Sequence, residues 1–161
     1  MISRGETNKL VPVCAAALAA FGAVLAAAPA HADDGGELLN EINATRAANG
    51  CGPLAPNPQL TASAARHAND MLRTGVAAHT GSDGSSLAQR VTDAGYAGYS
   101  NIGEIVFWAN GPGGSPAAAV NWWMNSPGHR AIITNCGLTE AGFSSVRSGS
   151  MMTATGDFGA K

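Results

Sequence analysis

The stretch Asn121-Trp122-Trp123-Met124-Asn125-Ser126-Pro127-Gly128-His129-Arg130 is the most informative in the chain. An apolar, Trp-bearing helix runs into a Ser-Pro-Gly break that ends on a histidine. A helix interior does not accommodate Pro127, and Gly128 frees the backbone to turn. The expectation is therefore a loop-borne His129 at the mouth of the break. Ala119, Val120 and Trp123 share one helix face, so Trp123 is expected to pack on a sheet and Trp122 to lie on the flank.

The helix has a clear start in Ser115-Pro116, a cap residue followed by proline at the first helical position. The same signature, Asn57-Pro58, opens an earlier helix. Leu60, Ala64, Ala68, Met71 and Leu72 form its apolar stripe and Gly75 stops it. His67 sits at the edge of that stripe and is read as donating to a nearby backbone group. Glu37 to Asn49 reads as the first helix, with Leu38, Leu39 and Ile42 at helical spacing and Gly50 just past its end. Ser85 or Ser86 caps a short helix with Leu87, Val91 and Ala94 inward, closed by Gly95. Asn101 to Ala109 is strand-like, rich in branched and aromatic residues. Glu140–Arg147 and Met151–Phe158 are weaker strand candidates able to pair as a hairpin beside it. The resulting class is α+β, a three-layer α-β-α sandwich whose pairing order the pattern leaves open.

The ends of the chain supply context. Arg4 and Lys9 precede an alanine-rich apolar run from Leu10 to Ala28, and Ala30-His31-Ala32 is a small-x-small cleavage signal. Residues 1–32 read as a secretory signal peptide and 33–161 as a single domain. A membrane anchor is the rival reading, countered by the cleavage signal. Cys14 lies in no lipobox. Removing Arg4, Lys9 and Glu6 with the leader leaves seven basic and ten acidic side chains. Without a basic run, nucleic acid and anionic membrane surfaces are poor partners. No segment of 33–161 reads as a membrane span, and the exported chain is expected to be a monomer. Cys51 and Cys136 remain, and two cysteines in a small exported domain read as one disulfide.

Three residues stand out as chemistry. His79 and His129 fall in loops, where functional groups concentrate. Glu104 interrupts an apolar strand run. Local pattern favours placing it on the solvent face, because burying a lone carboxylate is costly. Gly103 beside it permits a close backbone approach. Two imidazoles and a carboxylate suit a zinc site, or a base, an acid and an orienting group. Ser126 is more simply a helix-end residue than a nucleophile. No His-Glu-x-x-His helix, Gly-x-Ser-x-Gly elbow or phosphate-cradling loop is present.

These segments resemble the CAP superfamily, or SCP domain, of cysteine-rich secretory proteins, venom antigens and plant pathogenesis-related proteins, in its bacterial branch. The likeness rests on Leu39-Asn40-Glu41-Ile42-Asn43-x-x-Arg46, Ala64-x-x-His67-Ala68-x-Asp70-Met71, His79-Thr80, Asn101-Ile102-Gly103-Glu104-Ile105 and Trp123 to Arg130, with Asp157-Phe158-Gly159 as a weaker close. The resemblance implies an α-β-α sandwich with a central cleft that His79 and Glu104 face, and a counterpart of the second family histidine at His129. Asn125 and Ser126 would edge the cleft. Ser126 stands where animal and plant members carry a second glutamate, and Thr155-Gly156 departs from the aromatic-and-Gln pattern of bacterial relatives. A divalent metal such as zinc would be held by His79 and His129, with Glu104 as third ligand or as acceptor from a ring N–H; no cofactor is required.

The resemblance implies a secreted, extracellular binding module for a lipid, a sterol or another protein, without demonstrated catalysis. A secreted hydrolase acting on peptides or cell wall through His79, Glu104 and His129 is the alternative. A structural surface protein with a vestigial cleft is the third reading. Convergence of the three side chains on one point separates the first two from the last.

Overall fold

A computed structural model describes residues 34–161; the expected signal peptide and Cys14 lie outside the described residues. In chain order the elements are α1 (Gly35–Ala48), β1 (Ala55–Pro56), α2 (Pro58–Thr74), α3 (Leu87–Asp93), β2 (Asn101–Asn110), α4 (Pro116–Asn125), α5 (Pro127–Ile133), β3 (Glu140–Ser148) and β4 (Met151–Ala160). Local chemistry sets the boundaries. The Asn57 side chain accepts from the Gln59 and Leu60 amides, and Ser115 accepts from Ala118. Gly75 closes α2 in the left-handed conformation, at φ +70°. A side chain would be strained there.

The sheet runs β1-β3-β4-β2. β3 and β4 form the expected hairpin, and β2 pairs antiparallel with β4 at the edge. The two faces of the sheet differ in character. Ile105, Phe107, Phe143, Met152, Ala154 and Phe158 join Leu38, Ile42, Ala119 and Trp123 in one apolar core. Residues of the opposite parity face α2, where Thr153 Oγ1 donates to the Ala68 carbonyl. That face carries Glu104, Thr155 and Asp157, all buried. Helices thus cover both faces, giving the α-β-α sandwich.

Trp123 is fully buried and its ring N–H donates to the Val106 carbonyl at 2.8 Å. Trp122 is 49% exposed, as its place on the helix flank predicts.

The Ser-Pro-Gly stretch does break α4, but it does not leave His129 in a loop. Pro127 opens a second helix, α5, and His129 lies in its first turn. Proline is well placed at a first helical position because its missing N–H would have no partner there.

α5 is then held from three sides. Cys51 and Cys136 are disulfide-bonded, 85 residues apart in sequence, which ties the chain after α1 to the chain after α5. Arg46 of α1 is buried, and its guanidinium donates to the carbonyls of Ile133, Asn135, Leu138 and Gly52. A cation at carbonyls the helix end leaves unpaired satisfies them and complements the helix dipole. Ile132 packs on Gly103 of β2, where an added Cβ would stand 3.0 Å from the Ile132 methyl. The close approach at Gly103 is therefore made by the Ile132 side chain and not by backbone, which corrects that expectation.

Candidate functional site

His79 hangs from the loop between α2 and α3. His67 of α2 fixes one flank, its Nε2–H donating to the Ala78 carbonyl at 2.7 Å. That is the backbone role read for it, and burial lowers its pKa, so the ring is neutral. Arg90 of α3 fixes the other flank by donating to the His79 carbonyl at 3.1 Å and the Ser85 carbonyl at 2.8 Å.

Glu104 is buried, which corrects the solvent-face placement. The physical reason is a full set of partners. Its Oε1 lies 2.8 Å from His79 Nδ1, and its Oε2 accepts from the buried Arg90 guanidinium. His67 Nε2 stands 3.9 Å from the same Oε2. A buried carboxylate is tolerable when a cation and hydrogen bonds satisfy it. Removing one partner would leave the other charge stranded.

His129 approaches from α5, on the far side of the β2 edge. Its ring centroid is 6.0 Å from that of His79 and 5.1 Å from that of Trp122. Its Nδ1 lies 2.9 Å from Ser126 Oγ. That contact explains why Ser126 does not cap α5 with its side chain. His129 Nε2 is shielded from solvent and has no hydrogen-bond partner. An orphaned buried polar atom calls for an explanation, an ion or a water among them.

His79, Glu104 and His129 therefore converge, as a hydrogen-bonded pair facing a second imidazole. Asn125 does not join them: its side-chain amide bonds back to the Asn121 carbonyl at 2.9 Å. A cavity of about 660 Å³ lies on the α2 side and is lined by His67 and Arg90, among others, but by neither His79 nor His129. Two members of the network carry no local sign of a site in the sequence. Arg90 shows only as a polar position in a short helix. Asp157, the direct cross-strand partner of Glu104, enters only through the weak Asp157-Phe158-Gly159 likeness, with no role at the site.

The charges follow from these contacts. The hydrogen bond to Glu104 raises the His79 pKa above its usual value. Burial, with His79 nearby, lowers that of His129. When His79 is neutral its Nδ1 carries the proton, because a carboxylate only accepts, and Nε2 keeps its lone pair. Ser126 Oγ can accept from His129 Nδ1–H, which leaves the His129 Nε2 lone pair free as well. The donor set thus fits a divalent ion with two imidazole ligands. Among the described residues no group of three or more His, Cys, Asp or Glu side chains is arranged to hold one.

A model of the cysteine-rich secretory protein family, CAP, matches residues 39–158. The chain belongs to that family. Among solved structures it resembles an extracellular SCP-domain protein from Bacillus anthracis at 23% identity and a TM-score of 0.67. That match covers 80% of this chain and 40% of the Bacillus protein, so the chain spans well under half of its length. An outer surface protein from Borrelia burgdorferi matches at 21% identity and a TM-score of 0.70, covering 78% of this chain and 91% of that one. A cysteine-rich secretory protein from Staphylococcus aureus matches at 21% identity and 0.60, covering 78% and 37%. No curated protein shows significant sequence similarity.

Proposed function

We propose that the protein is an exported, non-catalytic binding module that holds a divalent ion, Zn²⁺ or similar, between His79 Nε2 and His129 Nε2. The observation that carries this is the buried, partnerless His129 Nε2, in a ring whose centroid stands 6.0 Å from that of His79. Metal–imidazole bonds of about 2 Å on each side fit that separation. Glu104 acts as the acceptor behind His79, fixing ring orientation and tautomer, since both of its oxygens are already engaged. When bound, the ion supplies a positive centre with open positions for an oxygen or nitrogen of a ligand. Trp122, half exposed beside His129, offers an apolar wall next to that centre. A lipid or sterol headgroup, or a side chain of another extracellular protein, is the ligand class. The disulfide and the leader-like residues 1–32 support export.

With two protein ligands the site is weaker than a closed structural zinc site. Zinc titration by calorimetry at pH 7.5 should show one site in the native chain and none in the His79→Ala, His129→Ala double variant. Equal affinity in the two proteins rules the site out. Protons compete for His79, so binding should weaken as pH falls through its raised pKa, which begins above the ordinary 6.5.

A hydrolytic reading would draw on the Ser126–His129 contact. The carboxylate that would orient a catalytic imidazole is bonded to the other histidine. A serine-directed fluorophosphonate should therefore leave Ser126 unlabelled.

A further inference from the structure

β2 and β4 set a second carboxylate against Glu104. Glu104 and Asp157 are direct cross-strand partners, so both side chains leave the same face of the sheet. Asp157 is fully buried. Its neighbour on β3 is Gly142, where a Cβ would collide with the Thr61 nitrogen and the Leu60 carbonyl carbon. The α2 backbone therefore lies directly on the sheet beside Asp157 and closes it off from water.

Neither carboxylate oxygen of Asp157 makes a hydrogen bond of normal geometry. The polar groups facing it are Glu104 from β2, Arg90 from α3 and Ser63 from α2. His67 of α2 stands behind Glu104. Arg90 is the cation whose charge reaches it, but it is committed to Glu104 and to two carbonyls. An ionised Asp157 would be a buried anion beside another anion, with only the neutral Ser63 hydroxyl free to offset its charge. A group so placed neutralises instead. Two carboxylates in one site do not both ionise readily. Glu104 has Arg90 and His79 to support its charge, and Asp157 has neither.

We propose that Asp157 is a neutral, protonated acid that donates its hydroxyl to Glu104 and so acts as a positioning residue for the His79–Glu104 pair. Glu104 is then held by three donors: His79 on Oε1, Arg90 on Oε2 and the Asp157 hydroxyl. Its orientation toward His79 is fixed before any ligand arrives. Burial, then the charge of Glu104, holds the Asp157 carboxyl well above the usual carboxylate range. This deepens the reading of His79 as a ligand-bearing imidazole, but its test needs no metal.

Infrared spectroscopy of metal-free protein labelled with ¹³C-aspartate should show a protonated-carboxyl stretch at neutral pH. That band should vanish in Asp157→Asn. The His79 pKa, followed by imidazole NMR, should stay within about 0.3 unit of the native value in Asp157→Asn, which is neutral and retains a donor. In Glu104→Gln it should fall. Absence of the band in the native protein overturns the proposal. So does a drop of about one unit in the His79 pKa of Asp157→Asn, as loss of an anion would produce. The native spectrum decides the first point even if a variant fails to fold. Zinc titration is read separately: a chain with the band but no zinc affinity keeps this inference and loses the metal site.

Discussion

His79 Nδ1 lies 2.8 Å from Glu104 Oε1, and the other oxygen of the same carboxylate is bonded to the buried Arg90. One side chain thus couples an exposed imidazole to an interior cation. His79 is 57% exposed at its side chain, whereas Glu104 and Arg90 are sealed. The electrostatics of the site are set from within.

Glu104→Gln should report this coupling twice. The His79 pKa should fall, because the main cause of its elevation is removed. Stability should drop by about 3–5 kcal/mol, since Arg90 would be left buried without its anion. Imidazole NMR and urea denaturation measure the two effects. An unchanged His79 pKa would mean the hydrogen bond does not form in solution.

Trp123→Ala should cost about 3–5 kcal/mol, the range for a large aromatic removed from a core. It also strands the Val106 carbonyl. Trp122→Ala should cost under about 1 kcal/mol, as the ring is half exposed. Denaturant unfolding of both variants gives the comparison. Equal losses would show that the helix face is misassigned.

Reduction of Cys51–Cys136 should lower the melting temperature. The bond closes a long loop, worth about 4 kcal/mol in the chain-entropy model. Mass spectrometry of alkylated, non-reduced protein should find neither cysteine of the pair modified. Alkylation of both would contradict the bond.

Much of this was legible because capping and turn chemistry are local. Asn57-Pro58, Ser115-Pro116 and Gly75 marked their boundaries within one or two residues. Ser126-Pro127 is the same cap-plus-proline signature, and it opens α5 as well as ending α4. The burial of Glu104 was not legible from its neighbours. Its partners Arg90 and His79 come from a different helix and loop, and only the fold brings them together. Arg46 and Asp157 stand in the motifs that carry the family likeness, but their burial is not legible locally for the same reason. Each looks like a surface charge in its own segment, and each is buried by contacts from distant parts of the chain.

Asp157 should also shape acid stability, with a sign opposite to that of an ordinary salt-bridged carboxylate. Its folded pKa is raised, so the native state keeps a proton that the unfolded chain releases above about pH 3.9. Stability should therefore decline, on this account, as pH rises from about 4 toward the folded pKa. Asp157→Asn should remove that decline, so that its stability gains on the native protein's across the window. Parallel stability–pH curves for the two proteins would show that Asp157 has no raised pKa.

Two-dimensional NMR of the His67, His79 and His129 imidazoles, as zinc is added to one equivalent, decides whether two of these rings share an ion. The Nε2 resonances of His79 and His129 should shift together while His67, bonded to the Ala78 carbonyl, stays in place. A shift confined to one of the two, or one that includes His67, would contradict a metal held between His79 and His129.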